Sequence, residues 1–313
     1  MSRIKNINLD TIDKSKFDVP ISELSPRAIV SISGDASLQD LVELLIKENQ
    51  GSVCVVDGSK LIGIVSERDL FMNVDDDDFD QYLKKSVSDI MTPNPLTKFS
   101  NDTIASCLKL MGIRRVRSLP IVNENGEPSH MLTAHDMLAF IIKLFPHSIK
   151  NIGTLFEWTV SEVHVQDENF SFTSSPHQLS GNIFLSPLKS AVSTDILKVD
   201  QNEIIQDVIK KMQARKRGMV AITCFETELV GILTERDLLR KVFGKVDLCA
   251  RVRISELMTP SPVTLLEKHA VSYAINNMFE KRFRNIILVD EEKTPISSVS
   301  VIDLVKFVTD KLI

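Results

Sequence analysis

The chain has 313 residues, 43% of them hydrophobic, which suffices for two compact domains with filled cores. A formal charge of -5 gives no global attraction for nucleic acid, and no apolar run approaches the roughly 18 residues that a membrane span requires, so neither is an expected partner. The polar opening MSRIKNINLDTIDKSKFDVP lacks the apolar stretch of a secretory signal, and Cys54, Cys107, Cys224 and Cys249 show no ligand spacing; buried thiols in a reducing, cytoplasmic setting are the expectation.

After a polar lead over 1–20, the first unit, 21–80, places Leu38, Leu41, Val42 and Leu45 at the i, i+3, i+4, i+7 spacing of an amphipathic helix. The β-branched run SVCVVD, a turn, a second run ending in IVS and a second helix, ERDLFMNV, follow. The acidic run Asp75 to Asp78 reads as a solvated loop. The second unit, 87–145, repeats the order with Ile104, Cys107, Leu108 and Met111, then SLPIVN, MLT and AHDMLAFIIKLF. Residues 146–187 form a connector with Phe156, Trp158, Phe170, Phe172 and Phe184, too apolar for a free tether; WTVSEVHV and ENFSFTSSP read as the arms of a hairpin strapped across the two halves. Its histidines His147, His164 and His177 match no common metal spacing. The third unit, 188–246, carries Ile205, Val208, Ile209 and Met212, and the fourth, 254–313, carries Val271, Ala274, Ile275 and Met278.

The four units are a duplicated pair. GIVSERDL at 63–70 returns as GILTERDL at 231–238, and a shift of 167 positions lays VSDIMTPNPLT from Val87 on ISELMTPSPVT from Ile254. The same shift matches Gly51 with Gly218, Arg117 with Arg284 and Asp136 with Asp303. An α/β (α+β) fold of four repeated helix and strand units is therefore predicted.

In GIVSERD an apolar strand ends at Ser66 and turns into a helix, exposing backbone N–H groups that suit a phosphate. Ser66 adds a hydroxyl, Arg68 a fixed charge, and Asp69 an acceptor for the paired hydroxyls of a ribose. An ordinary helix cap explains the same letters: Ser66 with Asp69, Thr133 with Asp136, Thr234 with Asp237 and Ser300 with Asp303. The arginines break the tie. Odd units have Arg68 or Arg236 in the turn, while even units have Arg117 or Arg284 before the strand where odd units have Gly51 or Gly218.

These motifs resemble CBS domains, modules of β-α-β-β-α type that associate in pseudo-twofold pairs called Bateman modules and bind AMP, ADP, ATP or related adenosyl ligands in the clefts between units. The resemblance implies ribose contacts at Asp69, Asp136, Asp237 and Asp303, hydroxyl contacts at Ser66, Thr133, Thr234 and Ser300, and early-strand contacts at Ser31, Thr97 and Thr264. His135, beside Asp136, joins the candidate set. Lys198 replaces the early-strand hydroxyl of unit three, and His130 and Ser297 replace the motif glycine of units two and four. Two modules in one chain is also the layout of the gamma subunit of AMP-activated protein kinase, where Arg117 and Arg284 fall on phosphate-contacting positions.

No GxxxxGK loop, HExxH or hydrolase elbow is present, so an enzyme is not expected. The implied protein is a stand-alone regulator that takes an adenine nucleotide as its ligand, with or without Mg2+, and signals energy state to a regulated protein partner by changing shape. It is expected to work as a homodimer or an intramolecular disc. The even units, which carry every element, are the expected best sites. The competing expectation is a structural adaptor with empty clefts.

Overall fold

The computed structural model describes residues 9–24, 26–74, 79–151, 178–192, 194–243 and 251–313. The Asp75 to Asp78 run, the expected connector hairpin with Phe156, Trp158, Phe170 and Phe172, and His164, His177 and Cys249 lie outside them. No helix among the described residues is long and apolar enough to cross a membrane.

Each unit builds one mixed sheet. In the first, Ser31–Ser33 runs parallel to Ser52–Asp57 because the helix Leu38–Lys47 lies between them as a crossover, and Lys60–Ser66 returns antiparallel after a tight turn. The crossover helix starts where Ser37 and Asp40 form a reciprocal cap and buries Leu38, Leu41, Val42 and Leu45, the stripe read from the sequence. The fourth strand of that sheet comes from the next unit: Thr92–Pro93 pairs with Lys60–Ser66, and in exchange Arg27–Ala28 pairs with Pro128–Thr133 of unit two. Units three and four repeat this exchange through Thr259–Pro260 and Thr194–Asp195. The motif glycine makes it fit. A Cβ on Gly63 would stand 2.4 Å from Sδ of Met91, and one on Gly231 would stand 2.3 Å from Sδ of Met258, so the methionine of each MTP segment seats on a bare backbone.

The duplication is visible in single backbone bridges. Pro20 pairs with Thr103 and Ser37 with Ser86 in the first half; Pro187 pairs with Ala270 and Ile204 with Arg253 in the second. Within each half, strand exchange joins the units. Between halves the helices do so: one core mixes Leu38, Leu41, Leu70 and Phe71 of unit one with Val208, Met212, Leu238 and Leu239 of unit three. A second core mixes Leu108, Met111 and Leu138 of unit two with Ile275, Leu304 and Val308 of unit four. Hydrophobic faces that a lone pair of units would leave in water are buried against the other pair.

The lead is more than a polar tail. Thr11–Asp13 pairs antiparallel with Gln178–Ser180 at the end of the connector, and Phe17 is buried edge-on against Phe140, with ring centroids 5.7 Å apart. The connector's described end buries Ile183 and Phe184, the latter against Phe145 at 5.0 Å. Lead and connector thus clasp each other on the core shared by units two and four. Cys54 and Cys107 are buried free thiols, pushed up by burial to about 12 and about 11.

Candidate functional site

The second helix of every unit begins with the same hydrogen bonds. Its first N–H donates to the carbonyl at the Gly51, Arg117, Gly218 or Arg284 position: Glu67 to Gly51 at 3.0 Å, Ala134 to Arg117 at 2.9 Å, Glu235 to Gly218 at 3.0 Å and Val301 to Arg284 at 2.8 Å. One carboxylate oxygen of each aspartate closes the cap, accepting the hydroxyl of Ser66 at 2.6 Å, Thr133 at 2.6 Å, Thr234 at 2.7 Å and Ser300 at 2.5 Å. The capping role is therefore realised in all four units, and it consumes Oδ2. What the other oxygen meets separates them.

Oδ1 of Asp303, a residue only 4% exposed, accepts from Nη2 of Arg115 at 2.6 Å. Oδ1 of Asp237 accepts from Oγ1 of Thr259 at 3.2 Å and lies 3.3 Å from Nζ of Lys241. Among the described residues no side chain donates to Oδ1 of Asp69 or Asp136. Burial pushes the Asp69 carboxyl above its ordinary range, against the two bonds from Ser66 and the charge of Arg68.

Asp69 lines a cavity of about 450 Å3 between units one and two. Ser66, Arg68, Arg117, Thr133 and His135 of the candidate set share its wall, with Arg236 and Arg284 arriving from the other half of the chain. Ser31, Thr97, Asp136, Thr234, Asp237, Thr264, Ser300 and Asp303 are not on it. Unit two therefore contributes to the cavity, whereas unit four contributes Arg282 and Arg284 and keeps its aspartate in an ion pair.

The wall holds six arginines, since Arg27 and Arg282 join the four expected ones. Behind it stand two carboxylates that sequence reasoning passed over, Glu67 and Glu235, exposed by 2% and 3%. Glu67 is paired with Nη1 of Arg284 and lies 3.4 Å from Nε of Arg236; Glu235 lies 3.2 Å from Nη1 of Arg68 and 3.0 Å from Nη2 of Arg117. The pairs repeat about the duplication axis. Glu235 raises the affinity of Arg117 for its proton, while burial, with Arg236 and Arg117 nearby, lowers that of Arg284 against the pull of Glu67. The signal for these glutamates was present in the sequence, as the one glutamate letter that both octapeptides keep unchanged.

Glycine makes the arrangement possible. A Cβ on Gly51 would fall 2.0 Å from Nη2 of Arg284, and one on Gly218 would fall 2.4 Å from Oε1 of Glu235. His135 donates from Nε2 to the Phe283 carbonyl at 2.9 Å, and burial holds its pKa below the ordinary value.

The sequence model of the CBS domain matches residues 21–76, 87–143, 188–244 and 254–310. The chain belongs to the CBS-domain family. Among relatives with CBS domains, CBSCBSPB5 of Arabidopsis thaliana is 26% identical over 251 residues, 78% of this chain and 44% of that protein. The chain spans about half the length of the curated relatives it matches. A Methanocaldococcus jannaschii protein has the same fold, with a TM-score of 0.70 at 16% identity over 92% of this chain and 99% of its own. A conserved protein of Pyrococcus horikoshii follows with a TM-score of 0.53 at 16% identity, over 93% and 97%. The strand exchange described above is thus a pairing of CBS units, repeated in each half.

Proposed function

We propose that this CBS protein is a regulator that binds an adenine nucleotide in the cavity between its first two units and reports it by a change of shape. One observation carries the reading: six guanidiniums line the cavity, against Asp69 in the wall and Glu67 and Glu235 behind it. In a partly desolvated pocket such an excess of fixed positive charge favours a polyanion with several acceptor oxygens, and arginine matches phosphate geometry. Asp69 supplies the acceptor for ribose hydroxyls, and Ile64, Pro95, Leu96 and Val116 supply apolar wall for a base. Leu96 is otherwise an exposed large apolar side chain without a purpose. A wall of arginines with a single carboxylate offers Mg2+ little, so the nucleotide is taken without an obligatory metal ion.

The adaptor role suits the second half. Oδ1 of Asp237 and Oδ1 of Asp303 are occupied by the chain's own donors, so units three and four act as a scaffold that lends Arg236, Arg282 and Arg284 to the first pair. In this reading the protein works in the cytoplasm as an intramolecular disc and signals energy supply to a regulated protein.

Titration calorimetry with adenosine, AMP, ADP and ATP tests both parts. Charge-assisted bonds worth about 1.5–3 kcal/mol each place the phosphorylated ligands roughly tenfold or more ahead of adenosine, at one site per chain. Equal affinity for adenosine and ATP, or no heat with any of them, would overturn the assignment.

A further inference from the structure

The four ion pairs of Glu67 and Glu235 all cross between the two halves. Glu67 of unit one is held by Arg236 of unit three and Arg284 of unit four, and Glu235 of unit three by Arg68 of unit one and Arg117 of unit two. The same four arginines line the cavity. They therefore face two ways at once, toward a carboxylate that ties the halves together and toward the space where a phosphate would sit.

A guanidinium has five N–H donors in a rigid fork, and a carboxylate that pairs with it side-on takes the directions a phosphate also prefers. A phosphate bound to these arginines must share or replace the glutamates. The geometry was built on both sides of the duplication axis, because Gly51 leaves room for Arg284 and Gly218 leaves room for Glu235. Other contacts close the same seam: Nη2 of Arg68 donates to the Lys216 carbonyl at 2.7 Å, and Nη2 of Arg240 donates to Oδ1 of Asn49 at 2.6 Å.

We infer that Glu67 and Glu235 are internal counter-anions that occupy the phosphate-binding arginines in the free protein, and that their exchange for ligand phosphates loosens the seam between the halves. This rests on the reading that the cavity takes a phosphorylated ligand, and it adds how that ligand is selected and read out. The two carboxylates cancel part of the arginine charge, so a ligand gains from the cavity only when it brings enough negative charge to displace them. They discriminate among ligands by phosphate number. Linkage makes the effect reciprocal: whatever opens the seam frees the arginines and tightens binding.

The test uses the full chain, inorganic orthophosphate and tripolyphosphate as adenine-free probes, and the variants Glu67→Gln and Glu235→Gln, with Glu292→Gln as an exposed control. Each of the first two should tighten tripolyphosphate by tenfold or more and orthophosphate by less, with a lower melting temperature that tripolyphosphate raises further than in the parent protein. The control should change neither. Unchanged or weaker tripolyphosphate binding in both folded variants, or an equal gain in the control, would overturn the inference. Should either variant fail to fold, hydrogen exchange of the parent protein decides: tripolyphosphate should speed exchange in Glu67–Met72 and Glu235–Lys241, and slowed or unchanged exchange there contradicts the displacement. Binding of AMP by the parent protein with no effect of either substitution would leave the nucleotide reading standing and remove this one. Tripolyphosphate binding that responds to the substitutions, without any binding of AMP or adenosine, would do the reverse.

Discussion

At the scale of single residues, Gly51 decides whether Arg284 can reach both its glutamate and the cavity. The atom that a Cβ would meet is the far end of a long side chain, so Gly51→Ala leaves the fold a cheap way out while turning the guanidinium aside. The expected result is ATP affinity lowered about tenfold, the value of one charge-assisted contact, together with a lower melting temperature because the buried Glu67 loses one of its arginines; calorimetry beside a thermal melt measures both. His135 adds a dependence on pH. Its folded pKa is held down by burial, opposed by the Phe283 carbonyl, lowered further by Arg284 and Arg236 and raised by Asp136. The unfolded chain therefore binds the proton more readily, and stability falls as pH drops from the ordinary value of 6.5 toward the lowered one. His135→Gln should flatten that part of the stability profile, read from denaturant midpoints across the range, and an unaltered slope would assign it to other groups.

At the scale of elements, four helices with one capping scheme are expected to respond differently to the same substitution. Asp136→Ala removes a cap and should cost about 1 kcal/mol. Asp303→Ala removes the cap and the ion pair with Arg115 as well; the aspartate is buried, but the 40% exposed arginine can return to water, so a further ~1 kcal/mol is expected. The difference in urea midpoints between the two variants measures it. The first helices show the same divergence at their other ends, where Asn49, Arg115, Lys216 and Arg282 all adopt left-handed backbone with φ of 51°, 54°, 51° and 54°. Only asparagine is at ease there among the four. The chain tolerates arginine at two of these ends, and there one arginine serves an ion pair and the other the cavity wall.

At the scale of the whole molecule, cooperativity should follow the cores rather than the order of units along the chain. Each core draws helices from both halves, so the first half alone leaves part of each core without its cover. A protein cut to residues 1–151 is expected to self-associate or aggregate, because contiguous apolar faces of that kind seek cover. Light scattering on the truncated chain checks this; a monomer with a sharp unfolding transition would show that the halves are independent. The full chain should unfold in one transition, shifted upward by ATP according to its affinity.

The repeats, the amphipathic stripes, the capping aspartates and the arginine positions were legible in the sequence because each is fixed by neighbours a few residues away. A serine that caps an aspartate three positions on does so wherever the segment lies. The CBS resemblance followed from the same local letters. Tertiary structure alone decided which sites remain available. Oδ1 of Asp303 is claimed by an arginine 188 residues away, and Arg284 reaches a glutamate 217 residues away. It also decided that the lead pairs with the connector's end, since Thr11 and Ser180 lie beside residues, Phe17 and Ile183, that pack on the core shared by units two and four. Nearly identical octapeptides make identical turns. Their arginines and glutamates acquire partners only when the two halves close on each other, because ion pairing depends on distances in space that no local spacing fixes.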